Sequence, residues 1–261
     1  MVYWIDVEDI SFNSLLLLER VQLSWLAKIN NIEKDLGIAL NNNTVVLWYI
    51  INKCPEISGF ITKAVSSVKD RQFSEEEIRE SEKKVLNKIN DWIVYVIKPK
   101  IYDQQPFLAW DSNELTDIAN FKDKVVLDIG AGTGRLALVV AKEAKAVYAV
   151  EPVSNLRYYL KEKAKKLGIG NLYVVDGVIE DIPFESNFAD IVMAGHVVGD
   201  DIKKEIDELR RVAKDAGQIV LCPGNSDKDN SIHDYLIEQG FSWGRFMQPR
   251  DGMKRKYWIE I

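Results

Sequence analysis

The run Val125 to Leu138, VVLDIGAGTGRLAL, passes from a strand-like apolar stretch through Gly130, Gly132 and Gly134 into a helical pattern. Glycine lacks the Cβ that would hold a ligand away, so the backbone N–H groups of such a loop can approach one closely. The spacing differs from the dinucleotide fingerprint G-x-G-x-x-G/A, because Arg135 stands at its last position and the third glycine comes one place early. Asp128, just ahead of the loop, offers a carboxylate better suited to a cationic ligand group than to a pyrophosphate. Glu151, at the end of the next apolar run, is placed to accept hydrogen bonds from both hydroxyls of a ribose. Such charged bonds contribute roughly 1.5–3 kcal/mol each.

These residues need strands to carry them to one edge. Apolar runs predict strands at Val125–Ile129, Ala146–Val150, Asn171–Val175, Ala189–Ala194 and Gln218–Cys222, with helical patterns around 134–144, 154–167, 201–214 and 231–239. Strands without polar alternation, separated by helices, predict a parallel sheet covered on both faces. Phe241–Met247 and Lys256–Ile261 flank Asp251-Gly252, a hairpin dipeptide, which turns the final strand antiparallel. The expected fold is therefore α/β: a doubly wound, seven-stranded, mostly parallel sheet with an antiparallel last strand, preceded by an N-terminal helical segment.

Ahead of it, Leu18, Val21, Trp25, Ile29, Ile32 and Leu36 follow helical spacing, with Gly37 read as the residue that ends the helix. Val45–Asn52 reads as a second apolar segment halted by Cys54-Pro55. Ser74-Glu75-Glu76-Glu77 reads as a capping box opening a helix, with Val85, Ile89, Trp92, Ile93 and Val96 on one face, that runs to Pro99. The division expected is a helical segment over 1–105, packing on the rest and covering an acceptor site, and a cofactor-binding domain over 106–261.

Composition narrows the function. The 261 residues are 47% hydrophobic and 28% charged, an ordinary globular mixture. The formal charge is −6, from 34 Lys and Arg against 40 Asp and Glu. That is a poor match to a phosphate-backbone binder. Lys161, Lys163, Lys165 and Lys166 read as the solvated face of a helix. Two separated cysteines, Cys54 and Cys222, form neither a disulfide framework nor a metal cluster, and no metal is expected. Short apolar runs and an acidic start predict a cytoplasmic protein without a membrane span.

DIGAGTG and Glu151-Pro152 together resemble the first and second motifs of the class I S-adenosylmethionine-dependent methyltransferases, and the reversed last strand resembles theirs. The resemblance covers residues 105 to 261. It implies S-adenosylmethionine as cofactor, with the Gly130–Gly134 loop, Ala131 included, against its methionine and ribose, and Glu151 on the ribose hydroxyls. VDGVIEDIPF resembles the family's adenine loop, one residue longer than the common form, which leaves the assignment open among Asp176, Val178, Ile179, Glu180 and Asp181. Ile179 and Glu180 are taken to flank adenine, with Val153 packing on the ring. Pro152 and Val153 equally fit a helix start and a core contact. Ala194-Gly195-His196 falls at the family position beside the transferable methyl. His196 is a candidate general base of near-neutral pKa, or else a residue that shapes the loop, whereas His233 reads as structural. Trp110, Asp111 and Asn113 are candidates for the cofactor's carboxylate end, or in the case of Asp111 and Ser112 for a helix cap.

Methyl transfer from a sulfonium needs neither a metal nor a covalent nucleophile from the protein. The acidic chain favours a small-molecule acceptor over a protein side chain, and either over nucleic acid. Two rivals share the features above: a nicotinamide-dependent oxidoreductase, disfavoured by the displaced glycine and reversed tail, and a non-catalytic nucleoside-cofactor-binding protein. The acceptor atom and oligomeric state are not encoded in any motif.

Overall fold

The computed structural model describes residues 4–261. The chain divides into two compact units between Tyr102 and Asp103. In the first unit helices run over Arg20–Ser24, Glu33–Asn41, Thr44–Lys53, Ser58–Ser66, Glu75–Lys88 and Asn90–Ile97.

Two features of this unit differ from the periodicity. The stripe from Leu18 to Leu36 is not one helix: a 3-10 turn over Trp25–Lys28 and the left-handed Asn31 (φ 57°) interrupt it. Gly37 does not end it either, but lies buried inside Glu33–Asn41, where a Cβ would come within 2.3 Å of the Ala64 carbonyl oxygen. Glycine here admits the backbone of the neighbouring helix. The capping box forms as expected, with the Glu77 N–H donating to Ser74 Oγ and the Ser74 N–H to the Glu77 carboxylate. The helix it opens breaks at Ile89, and Asn90 inside the unit binds the Ile5 backbone through both ends of its amide. These bonds satisfy a polar side chain that is buried at that point.

The second unit carries the sheet: β1 Val125–Ile129, β2 Ala146–Val150, β3 Leu172–Val175, β4 Ala189–Ala194, β5 Ala213–Ser226, β6 Ser242–Gln248 and β7 Gly252–Glu260. Their order is β3-β2-β1-β4-β5-β7-β6. β7 is antiparallel to both its neighbours, and the other six strands share one direction. Alternate residues feed two cores. Val126, Val147, Ile191 and Val220 lie in one, and Leu127, Val192, Ile219 and Leu221 in the other. Both faces are thus buried, as a parallel sheet requires.

Register places the functional edge. Ile129 sits level with Val150 and with Ala194, Val150 with Val175, and Ala194 with Leu221. The carboxyl ends of β1 to β4 therefore form one row. The chain reverses its winding between β1 and β4, and such a switch point opens a crevice there. The helix after β1 is regular only over Ala137–Val140, shorter than the 134–144 of the sequence pattern.

Candidate active site at the β1, β2 and β4 ends

Three left-handed glycines shape the loop after β1, with φ of 69° at Gly130, 53° at Gly132 and 87° at Gly134. The Gly130 and Ala131 N–H groups both donate to the Val150 carbonyl, at 2.8 and 3.0 Å, tying the loop to β2. A Cβ on Gly130 would come within 2.2 Å of Val197 Cγ1, and one on Gly134 within 2.4 Å of Leu160 Cδ1. At Gly130 and Gly134 the missing side chains therefore make room for the chain's own packing.

Asp128 and Glu151 are buried on either side of this loop. Glu151 Oε2 accepts the Gly132 N–H at 2.8 Å, and its Oε1 accepts the Val153 N–H at 2.8 Å. Asp128 Oδ2 accepts the Ala137 N–H at 2.9 Å, capping the first helical turn, while Asp128 Oδ1 is buried with no protein partner. Burial pushes the Asp128 pKa up to about 8, and the Glu151 charge adds to the rise. Burial likewise pushes Glu151 up to about 7, against the pull of its two N–H donors. A buried carboxylate with an orphaned oxygen is costly unless a donor or a cation reaches it.

Long basic side chains pin the surroundings. Arg157 reaches the Glu151 and Pro152 carbonyls and, at 2.8 Å, the Asp176 carboxylate, binding the β2 end to the β3 end. Lys163 pairs with Asp103 at 2.6 Å and donates to the Thr133 carbonyl inside the glycine loop. It is not part of a solvated face, although Lys161, Lys165 and Lys166 are exposed. Arg135 donates to the carbonyls of Leu108 and Trp110 and to Ser112 Oγ, and stacks over the Trp110 ring at 4.1 Å.

Trp110 is accordingly buried against Phe246, and Asp111 accepts the Asn113 N–H at 3.0 Å, so both serve the local fold. Val153 is buried, and Pro152 precedes the helix Ser154–Lys166. Ile179 and Glu180 occupy the tip of a turn closed by a bridge between Val178 and Asp181. Ile179 packs in the same core cluster as Ile129, Val150 and Ala194.

His196 follows β4 with a left-handed backbone, φ 62°, an uncommon conformation for a non-glycine residue and one found at functional sites. Its Nε2 lies 2.9 Å from Gln248 Nε2, and its ring meets Phe107 edge-on at 5.8 Å. Desolvation of the ring against Phe107 and Gln248, with the Lys254 charge, pushes its pKa down to about 4, although the residue as a whole keeps an exposed surface. Asp251 acts weakly in the opposite sense. His196 is thus uncharged at pH 7. His233 holds Tyr257 Oη at 3.1 Å, a structural contact.

Residues 127–221 match the family model described as a methyltransferase domain. The second unit carries a methyltransferase domain. An uncharacterised protein of Methanocaldococcus jannaschii is 37% identical over 97 residues, which make up 33% of this chain and 37% of that protein. Protein arginine N-methyltransferase 1 of Oryza sativa is 43% identical over 76 residues, 28% of this chain and 19% of its own length. A solved S-adenosylmethionine-dependent methyltransferase from Aquifex aeolicus is 22% identical, with a TM-score of 0.49, covering 63% of this chain and 97% of that one. The chain spans well under half the length of these two curated relatives.

S-adenosylmethionine is the cofactor of class I methyltransferase domains, and the residues present suit it. Asp128 Oδ1 is an orphaned buried acceptor where an ammonium would be stabilised. Each Glu151 oxygen accepts one N–H and keeps capacity for a hydroxyl. Four residues that organise the methyltransferase domain escaped the motif reading: Arg135, Arg157, Lys163 and Gln248. Arg135 was visible only as the place where a dinucleotide fold would have glycine. The others carried no local signal, because their partners lie far along the chain. Among the described residues no cluster of His, Cys, Asp or Glu is arranged to hold a metal, and no helix is long and apolar enough to cross a membrane.

Proposed function

We propose that the chain moves a methyl group from S-adenosylmethionine to a small-molecule acceptor. In this reading Glu151 holds the ribose hydroxyls, Asp128 the ammonium, and the Gly130–Gly134 loop with Ala131 lies along the methionine and ribose. Val153, Ile179 and Glu180 surround the adenine, Pro152 sets the turn that aims Val153, and Ala194 with His196 borders the transferable methyl. The observation that carries it is the pair of buried carboxylates flanking one glycine loop, one of them with an oxygen that no protein group satisfies.

When bound, the cofactor supplies an already activated methyl, so the protein's contribution is binding and alignment. Holding two reactants in line contributes several kcal/mol, within the ~7–11 kcal/mol that intramolecular orientation can supply. Rigid placement of the loop by Lys163 and the Val150 carbonyl, and of the Glu151 backbone by Arg157, serves that end. Relatives are named as acting on protein arginine, RNA and L-isoaspartate, so their names select no acceptor for this chain. The formal charge of −6 supports a small molecule over a polyanion. The helical segment ahead of residue 106 is assigned to acceptor selection, and the protein to the cytoplasm.

The test is incubation of the full chain with methyl-labelled cofactor and pooled metabolites, peptides and RNA. Label in the small-molecule fraction supports the proposal, and label confined to peptide or RNA overturns the acceptor class. Bound cofactor with no label transferred to any pool overturns catalysis.

A further inference from the structure

Gln248, the last residue of β6, is fully buried, and its amide lies between two groups of unlike character. Gln248 Nε2 donates to the Phe107 carbonyl at 2.8 Å and contacts His196 Nε2 at 2.9 Å. A carbonyl oxygen only accepts, so the Phe107 contact fixes which end of the amide is nitrogen. That nitrogen has two hydrogens; one points to Phe107, and the other is left for His196. A nitrogen that receives a hydrogen bond must offer its lone pair, so His196 Nε2 carries no proton and the neutral ring keeps its proton on Nδ1.

We propose that Gln248 is a positioning residue that locks His196 in the Nδ1–H tautomer, so that His196 meets the acceptor molecule as a hydrogen-bond donor rather than as a base. The donor role rests on the methyltransferase reading; the tautomer does not. His196 is constrained on three sides. Its backbone is left-handed, its N–H donates to the Pro223 carbonyl at 2.9 Å, and Phe107 supplies both the ring against it and the carbonyl that orients Gln248. The acceptor chemistry that fits such a donor is an oxygen or nitrogen with a free lone pair beside the methylated position, in a molecule whose own nucleophile needs no proton removed by this residue. Gln248 Oε1, buried and without a protein partner, leaves an acceptor on the same amide.

Nitrogen NMR of the full chain labelled at histidine reads the tautomer without activity or cofactor. Only two histidines occur, and His233, held by Tyr257, reports on folding independently. The wild-type ring is expected to show a protonated Nδ1 and a bare Nε2 at pH 7. In Gln248→Glu the buried carboxylate is expected to draw the proton to Nε2, and in Gln248→Met the two tautomers mix. A wild-type His196 protonated at Nε2 overturns the proposal. So does a Gln248→Met spectrum unchanged at His196 while His233 keeps its native signal. If Gln248→Glu loses the His233 signal, Gln248→Met and the wild type alone decide. Cofactor binding, measured separately, distinguishes failure of the methyltransferase reading from failure of the tautomer.

Discussion

Glu151 and Gly132 are joined by a 2.8 Å hydrogen bond in which the carboxylate at the end of β2 accepts the N–H of the central glycine after β1. One side chain thus holds the loop while keeping capacity for a ligand. Glu151→Gln retains an oxygen for one of its N–H partners and is expected to stay folded, while cofactor affinity falls roughly ten- to hundredfold, the equivalent of ~1.5–3 kcal/mol. Glu151→Ala strands the Gly132 and Val153 N–H groups as well and is expected to lose stability too, by about 1–3 kcal/mol. Titration calorimetry with chemical denaturation separates the two effects. A fully stable Glu151→Ala would contradict the assigned bonds.

The buried acids make the ligand-free chain pH-sensitive. Asp128 rises from 3.8 to about 8 and Glu151 from 4.5 to about 7, so both hold protons longer in the folded chain than in the unfolded one. Their contribution is greatest below pH 4 and is lost as pH rises through 7 and 8. Asp128→Asn is expected to flatten that decline and to be the more stable protein at pH 8. Melting temperatures from pH 5 to 8 check it, and an equal decline in both proteins would rule it out.

Arg135 ties the 108–112 segment to the glycine loop through the planar fork of its guanidinium. Lysine keeps the charge but cannot span these acceptors or stack as well on Trp110. Arg135→Lys should therefore lose about 2 kcal/mol, from two or more charged hydrogen bonds. Denaturant midpoints provide the measurement, with chymotrypsin cleavage at Phe107, Leu108 or Trp110 as a local readout. A variant as stable as wild type would show the contacts to be incidental.

Gly37→Ala sets two effects against each other. Alanine in a helix interior normally gains ~1 kcal/mol over glycine. At this position its Cβ would stand 2.3 Å from a backbone oxygen of the helix Ser58–Ser66, which has no flexible end to move aside. Overpacking of that kind costs ~1–3 kcal/mol, so net destabilisation is expected in thermal unfolding. A stabilised variant would place the helices farther apart.

Much of the sheet was legible in the sequence because its signals are local. Val125–Ile129, Ala146–Val150 and Ala189–Ala194 end where the apolar runs end, and the last hairpin turns next to the expected dipeptide, over residues 249–251, with left-handed Gly252 opening β7 opposite Gln248. Asp128 and Glu151 were legible for the same reason: each sits at the end of its strand. Gly37 and Asn90 misled the helical reading because their roles depend on residues that pack across the unit, Ala64 for one and Ile5 for the other. The state of His196 was illegible because it is set by Gln248 and Phe107, which only the fold brings to it.

The most direct measurement is titration calorimetry of the purified full chain with S-adenosylmethionine, its demethylated product and NADH. We expect micromolar binding of the first two, weakened at least tenfold in Glu151→Gln, and none of NADH. Binding of NADH without either sulfur nucleoside, or equal affinity in wild type and Glu151→Gln, would contradict the assignment of the β1–β2 crevice.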